Sequence, residues 1–422
     1  MKMIFAACVA AASCAGAAQA QSGAPASTPV PVLSLEHAVA TAGGSAPAAE
    51  AAGAAIEAAQ AARTVAGLRP NPVAQGQIEN VVGTGPYSGL NSAETTVGVA
   101  IPIELGGKRG ARLAVAQAQL SRAEVQAAVV AADIRLQVTQ LYVAAVAAER
   151  RLATARDQAR IAAEVLRAAT VRVQAGRASP LEEQRAQVAR LTADATVERF
   201  MRLAEASRAN LARRIAMPTI GALDMAMLDR LPPVDGTAAE APTAMLALAA
   251  ADADLAIAEG GVRLARANRV PDLNIGPALR RLEATRDMAA VFSVSIPIPL
   301  FDNGRAAVAR AQAERLQADA QRRMTALDLE QAITDAQADL ANADTAARTT
   351  VPALAAAQEA ARIARIGYRE GKFGQIDLLD AERTLADTRL AAIDALADYH
   401  TARARLARLT APVPAPMTGE IR

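Results

Sequence analysis

The sequence contains no tryptophan, and only five phenylalanines and four tyrosines among 422 residues. It is nonetheless 52% hydrophobic, with alanine supplying most of that character. Alanine is the best helix former and lets helices approach closely, but it cannot fill a thick interior. The composition therefore excludes a broad aromatic core and favours long, thin helix-on-helix packing. Cysteine is nearly missing: Cys8 and Cys14 are the only two. Charge of one sign is missing too. The formal net charge is +2 with both signs interspersed, which points away from a nucleic-acid partner.

The first twenty residues read as a secretory signal. Lys2 gives a short positive start, Ile4 to about Ala12 the apolar core, and Ala18-Gln19-Ala20 a small-x-small cleavage site. Cleavage after Ala20 removes both cysteines, so the mature chain is expected to lack disulfides, thiolate metal sites and cysteine catalysis. The alternative is a lipid anchor on Cys14 after Ala11-Ala12-Ser13, although the usual leucine is not there. No later stretch reaches eighteen uninterrupted apolar residues, so a transmembrane helix is not expected.

What is present is a repeat. IPIELGGKRG at 101–110 returns as IPIPLFDNGR at 296–305, with Pro102 and Pro297 lying 195 residues apart. Gly176 in VQAGRASPLEEQ and Gly371 in YREGKFGQIDLLDAERTL show the same offset of 195. LRPNP at 68–72 resembles ANRVPDL at 267–273. Each half then reads as helix, strand pair, long helix, tight turn, helix.

Period-two alternation marks the strands. Val97, Val99, Ile101 and Ile103 alternate with Thr96, Gly98 and Ala100, and Phe292 to Leu300 alternates likewise. Residues 272–279 and, more weakly, 74–81 complete two pairs within 73–103 and 272–300. Runs of roughly nine to eleven residues suit tilted strands crossing an outer membrane. The competing reading is a soluble sheet on a core, but the flanking helices have too few large residues to build one. Four strands cannot close a barrel, and open edges are not tolerated in lipid. Membrane strands here therefore require several chains to pool them. The turn-rich segments 83–94 and 282–287 would be the outer loops.

Proline is missing from about Lys108 to Ala175, where Ile134, Val138, Leu141, Ala145, Ala148 and Leu152 form one helical seam. Some 65 helical residues reach about 100 Å, suited to crossing a periplasm. The second half repeats this from Arg305 to about Tyr368, with a kink expected at Pro352. Gly176 ends the first long helix, Ser179 caps the next, and Glu182 completes a capping box. Gly371, Gly374 and Asp377 take those places in the second half. The division is a signal at 1–20, a disordered linker at 21–32 and a first repeat at 33–215 turning at 176–180. An irregular connection at 216–241, a second repeat at 242–410 turning at 371–375 and a disordered tail at 411–422 follow.

Tyr368-x-x-Gly371, followed by Asp377-Leu378-Leu379-Asp380-Ala381, resembles the TolC family of outer-membrane efflux channels over essentially the whole mature chain. The resemblance implies a mostly helical homotrimer with four strands per chain in one shared 12-stranded barrel above a long periplasmic tunnel. It also implies partners: a periplasmic adaptor, an energised inner-membrane pump and outer-membrane lipid. Leu68-Arg69-Pro70-Asn71-Pro72, Ile78-Glu79-Asn80, Ser92-Ala93-Glu94-Thr95-Thr96 and Ile103-Glu104-Leu105-Gly106-Gly107-Lys108-Arg109 resemble the heavy-metal branch. Those members serve cobalt–zinc–cadmium or nickel efflux systems of the resistance–nodulation–division type. The alternatives are an exit duct for drugs or secreted proteins, and a periplasmic coiled-coil adaptor. An adaptor would need one hairpin flanked by β-rich domains, not two repeats each carrying a strand pair.

By the same resemblance, Asp377 and Asp380 form acidic rings at the periplasmic entrance and Tyr368 belongs to the gate. The plain alternatives are helix N-terminal stabilisation and solvation for the acids, and packing for the tyrosine. Phe373 stands where the best-known members carry a gate arginine, so an apolar constriction replaces a charge lock. Glu182 could add to the acidic mouth, but capping alone accounts for it. No cofactor is expected. His37 and His400 lie in no ligand-spaced cluster, and no catalytic grouping or phosphate loop stands out.

Overall fold

The computed structural model describes residues 32–232 and 245–414. The signal at 1–20, Cys14, linker residues 21–31, positions 233–244 and tail residues 415–422 lie outside the described residues. The element order is α1 (Leu35–Ser45), α2 (Pro47–Ala66), β1 (Val73–Glu79), β2 (Glu94–Ile103), α3 (Lys108–Gln174) and α4 (Pro180–Arg214). The second half follows with α5 (Leu246–Ala267), β3 (Leu273–Leu282), β4 (Met288–Ser295), α6 (Arg305–Arg369) and α7 (Gln375–Leu409). The repeat is visible in the lengths: α3 and α6 have 67 and 65 residues, while α4 and α7 have 35 each.

At 1.5 Å per residue the two long helices reach about 100 Å. They form no compact globule. Their buried residues fall into a string of small clusters along the bundle, as alanine-rich packing dictates. The largest cluster contains Ile134, Val138, Ala145 and Val146 of α3 with Leu211, Ile215, Leu223, Leu228 and Ile393. Of the expected seam, Ile134, Val138, Ala145, Ala148 and Leu152 are buried, and Leu141 is half-buried. By length and composition α3 includes a window apolar enough to cross a membrane, contrary to the sequence-based expectation. α3 as a whole packs against α1, α2, α4, α5 and α7, and one such helix is weak evidence for a membrane span.

Tyr142 is fully buried at the centre of this cluster. Its hydroxyl donates to the Leu33 carbonyl at 2.7 Å and accepts from the Asp224 amide at 3.0 Å. Tyr399 similarly donates to the Pro232 carbonyl at 2.6 Å. The few aromatic residues thus fasten the N-terminal segment and the inter-repeat connection to the long helices. That connection is not wholly irregular: Met225–Asp229 forms a 3₁₀ turn, with Met227 and Leu228 buried. Residues 411 and 412, expected in the disordered tail, are instead held at α5: the Ala411 carbonyl accepts from the Leu246 amide and Pro412 bridges Met245.

The four strands form one antiparallel sheet in the order β1-β2-β3-β4. In β2, Val97, Val99, Ile101 and Ile103 lie on the exposed face, and Thr96, Gly98, Ala100 and Pro102 on the other. Leu279, Phe292 and Val294 are exposed as well. The apolar face therefore points outward, the reverse of a soluble sheet on a core and the arrangement lipid requires. β1 and β4 are open edges.

Of the two strand pairs, the first ends at the expected residue and the second short of it. Pro102 stays in the ladder, since β2 runs to Ile103 with Pro102 opposite Asn274. The chain turns at Gly106 and Gly107, both left-handed at φ 70° and 72°. A Cβ on Gly106 would sit 2.7 Å from Val270, so both conformation and space demand glycine there. β4 conversely stops at Ser295, before Pro297 and Pro299. It is an edge strand, and two prolines within three residues remove the donors that would extend it. Pro352 lies inside α6 without ending it.

The handover from strand to helix is pinned across the halves. Lys108 Nζ lies 2.7 Å from Asp272 Oδ1, which also accepts from the Leu105 amide at 3.2 Å. Arg112 forks Glu104 beside it. Asp302 and Asn303 cap the start of α6 by accepting from the Gly304 and Arg305 amides.

Candidate functional site

The two helix turns lie together at one end of the bundle. Gly176 and Gly371 are left-handed at φ 66° and 73°, each closing its helix with bonds back onto the last turn. In the second hairpin Asp377 accepts from the Gly374 amide at 2.9 Å, so this carboxylate caps α7. In the first, Ser179 Oγ accepts from the Leu181 amide at 3.2 Å, but Glu182 does not complete a capping box. The Glu182 carboxylate instead turns toward Arg172, 4.0 Å away. The expected capping role of Glu182 is therefore not what the structure shows. A cation one turn before Gly176 competes for that carboxylate.

Around Arg172 the two hairpins meet. Its guanidinium lies 5.2 Å from the centre of the buried Tyr368 ring. Gln375, 5% exposed, donates across the hairpins to the Glu182 carbonyl at 3.0 Å. Tyr368 Oη, Gln375 Oε1 and Glu182 Oε2 are enclosed without a hydrogen-bond partner among the described residues. Unpaired buried polar atoms are costly, and three of them gather where the two hairpins touch. Tyr368, Leu378 and Ala364 pack with Ile161, Val165, Ala169 and Ala186 beneath it.

Phe373 lies at the tip, 43% exposed, with its ring against Gly367. A Cβ on Gly367 would stand 2.1 Å from the ring, so the glycine creates the seat. Asp377 and Asp380 are both exposed on α7. The structure thus brings together Tyr368 and Glu182 through Arg172, keeps Phe373 beside them, and leaves the aspartates facing solvent. Behind the tip, Arg365 forks Glu382, whose side chain is 4% exposed. Arg172, Arg365, Gln375 and Glu382 carry no spacing signal that sequence reading could have used. They are defined by contacts between elements.

Farther along the bundle, α3 and α7 are joined by Arg151–Asp394 at 2.5 Å, Asp157–Arg389 at 2.9 Å and Asp133–Arg408 at 2.5 Å. Burial pushes the Asp157 carboxyl upward, but hydrogen bonds from Arg160 and Arg389 outweigh it and hold it below the usual range. The His400 ring is pushed down by burial, with its Nε2 3.2 Å from the Leu228 carbonyl. It serves packing of the connection. Among the described residues no group of three or more His, Cys, Asp or Glu is placed to hold a metal.

The polar face of the sheet carries a second charged group, which the sequence reading did not identify. Glu79, Glu94 and Arg280 meet near the loop end of the strands. The parity of Gln75, Gln77 and Glu79 in β1 puts them on the same face as Thr96 and Arg280.

An outward-apolar sheet, open at both edges and set on helices of about 100 Å, is the architecture of an outer-membrane channel reaching into the periplasm. The profile of the family described as outer membrane efflux protein matches residues 39–216 and 240–411. The chain belongs to that family. It is 31% identical over 391 residues to the cobalt-zinc-cadmium resistance protein CzcC of Cupriavidus metallidurans, covering 89% of this chain and 90% of that protein. The outer membrane protein VceC of Vibrio cholerae has the same fold, with TM-score 0.72 and 19% identity over 90% of this chain and 96% of that one. CusC matches with TM-score 0.74 at 15% identity, over 89% and 91%. The MtrE channel of Neisseria gonorrhoeae, in its open state, gives 0.74 at 20%, over 89% and 88%. The protein is an outer-membrane efflux channel, not an enzyme.

Proposed function

We propose that the protein is the outer-membrane duct of a tripartite efflux system that exports divalent heavy-metal cations. Three chains pool their sheets into one 12-stranded barrel, because four strands with two open edges cannot stand alone in lipid. On this reading transport through the chain is passive, with the energy supplied by the pump. A periplasmic adaptor and an inner-membrane pump of the resistance–nodulation–division type supply the cargo at the hairpin end. The observation that carries the metal assignment is the near full-length similarity to a cobalt-zinc-cadmium resistance protein. A duct for drugs or secreted proteins shares the fold and differs in cargo.

Asp377 and Asp380 fit the entrance on this reading. Three copies of each, exposed at one narrow end, attract cations and disfavour anions. Tyr368 and Phe373 fit the gate, with Glu182 tied into it through Arg172. Capping by Asp377 and a place in the electrostatic ring are compatible, since the carboxylate caps while remaining exposed.

A strain lacking the gene is expected to lose tolerance to zinc, cadmium, cobalt or nickel while keeping normal tolerance to dyes and antibiotics. The wild-type gene restores growth fully, and the Asp377→Asn/Asp380→Asn double variant restores it only in part. Sensitivity to drugs with normal metal tolerance would overturn the metal assignment and leave the channel standing.

A further inference from the structure

Glu79 and Glu94 are directly opposite one another in the β1–β2 ladder. Like charges placed so destabilise a sheet unless something bridges them. Arg280 does. From β3 its Nη2 lies 3.0 Å from Glu79 Oε2, its Nη1 2.7 Å from Glu94 Oε2, and its Nε donates to Thr96 Oγ1 at 3.0 Å. Gln77 donates to Glu79 at 3.1 Å and Asn80 to Glu94 at 3.4 Å. All of this lies on the polar face, near the loops.

Without the guanidinium, two carboxylates with a hydroxyl and amide oxygens close by would make an oxygen-rich pair suited to a divalent cation. A duct that carries divalent cations cannot afford a tight site at its exit, because conduction needs binding weak enough to release. We propose that Arg280 is a resident counter-ion that occupies this carboxylate pair and keeps the outer mouth from trapping the exported cation. Its planar fork serves both carboxylates at once, which the single ammonium of a lysine could not match. The mouth retains one net negative charge per chain from this triad. It attracts cations without holding them. The inference rests on the proposed channel, in which this polar face lines the lumen.

The test is potassium current through the purified full-length protein in planar lipid bilayers, with zinc chloride added on the loop side. Wild-type current is expected to be unchanged, whereas Arg280→Gln current falls at least about twofold at ~10⁻⁴–10⁻³ M zinc, the range of weak carboxylate sites. A chelator restores it. Replacing Glu94 by Gln in the Arg280→Gln background removes the block. Arg280→Lys, which pairs one carboxylate at a time, gives an intermediate block and decides the matter if Arg280→Gln does not assemble. Pores of both Arg280 variants that ignore zinc, or wild-type pores that zinc blocks, overturn the proposal and leave the channel reading intact. Lowered heat resistance of the variant without zinc block would mark Arg280 as a structural latch, and also overturns it. No pore from the wild type overturns the channel reading together with this one.

Discussion

Gly98→Leu is expected to abolish assembly in the outer membrane. Gly98 lies opposite Ala278 in the β2–β3 ladder. A Cβ there would stand 2.4 Å from Ala278 Cβ and 2.7 Å from the Pro277 carbonyl oxygen. Backbone occupies the space, so no rotamer change relieves the clash, and the ladder itself must part. Overpacking typically costs about 1–3 kcal/mol, and leucine at a site with no room for one carbon belongs at or above that upper end. Here the two halves of the repeat are joined only by this ladder within the sheet, so parting it divides the barrel contribution of every chain. Outer-membrane fractions should contain at least tenfold less oligomer, about the equilibrium change that 1.4 kcal/mol produces. Gly76→Ala is the control, because a Cβ at Gly76 meets nothing within 4 Å. Wild-type amounts of assembled Gly98→Leu would refute the close approach of β2 and β3.

The second large effect is expected at the hairpin end. Arg365→Met leaves the Glu382 carboxylate, 4% exposed, without its counter-ion. Breaking a buried pair by removing one partner costs about 3–5 kcal/mol. Arg365 is 42% exposed, so solvent already screens the pair and the lower part of that range applies. The carboxylate must take up a proton or turn outward, and turning outward separates α6 from α7 beside Tyr368 and Gln375. Amides of both helices around residues 361–385 should exchange with deuterium at least about thirtyfold faster, since 2 kcal/mol already corresponds to that factor. Cells carrying the variant should admit bulky hydrophilic antibiotics. Unchanged exchange with an unchanged antibiotic barrier would show that this ion pair does not hold the hairpin closed.

The periodic features were legible in the sequence for a physical reason. A strand alternates every two residues and a helix turn needs a residue able to adopt positive φ, so Val97 to Ile103, Gly176 and Gly371 announced themselves locally. Ile296–Leu300 alternates equally well yet is not strand, because pairing depends on a neighbour that an edge lacks and on donors that Pro297 and Pro299 remove. Glu182 had the spacing of a capping box, but Arg172 on the preceding helix drew its side chain away. The cross-hairpin bond from Gln375 to the Glu182 carbonyl and the fork of Arg280 on Glu79 and Glu94 join residues up to about two hundred positions apart. No local pattern encodes such contacts. Tyr368, Phe373, Asp377 and Asp380 were reached through a family resemblance, and the structure gives their surroundings: one buried ring, one seated on glycine, two exposed acids.

The account stands on strands pooled between chains, and the two open edges allow that to be tested directly. With Ala74 of β1 replaced by cysteine, a second cysteine is placed in turn at Ala290, Phe292 and Val294 of β4. Oxidation in intact outer membranes is expected to give species of two and three linked chains for at least one pair, with trimer as the upper limit. Single chains alone, for every pair, would contradict a barrel shared among copies of this protein.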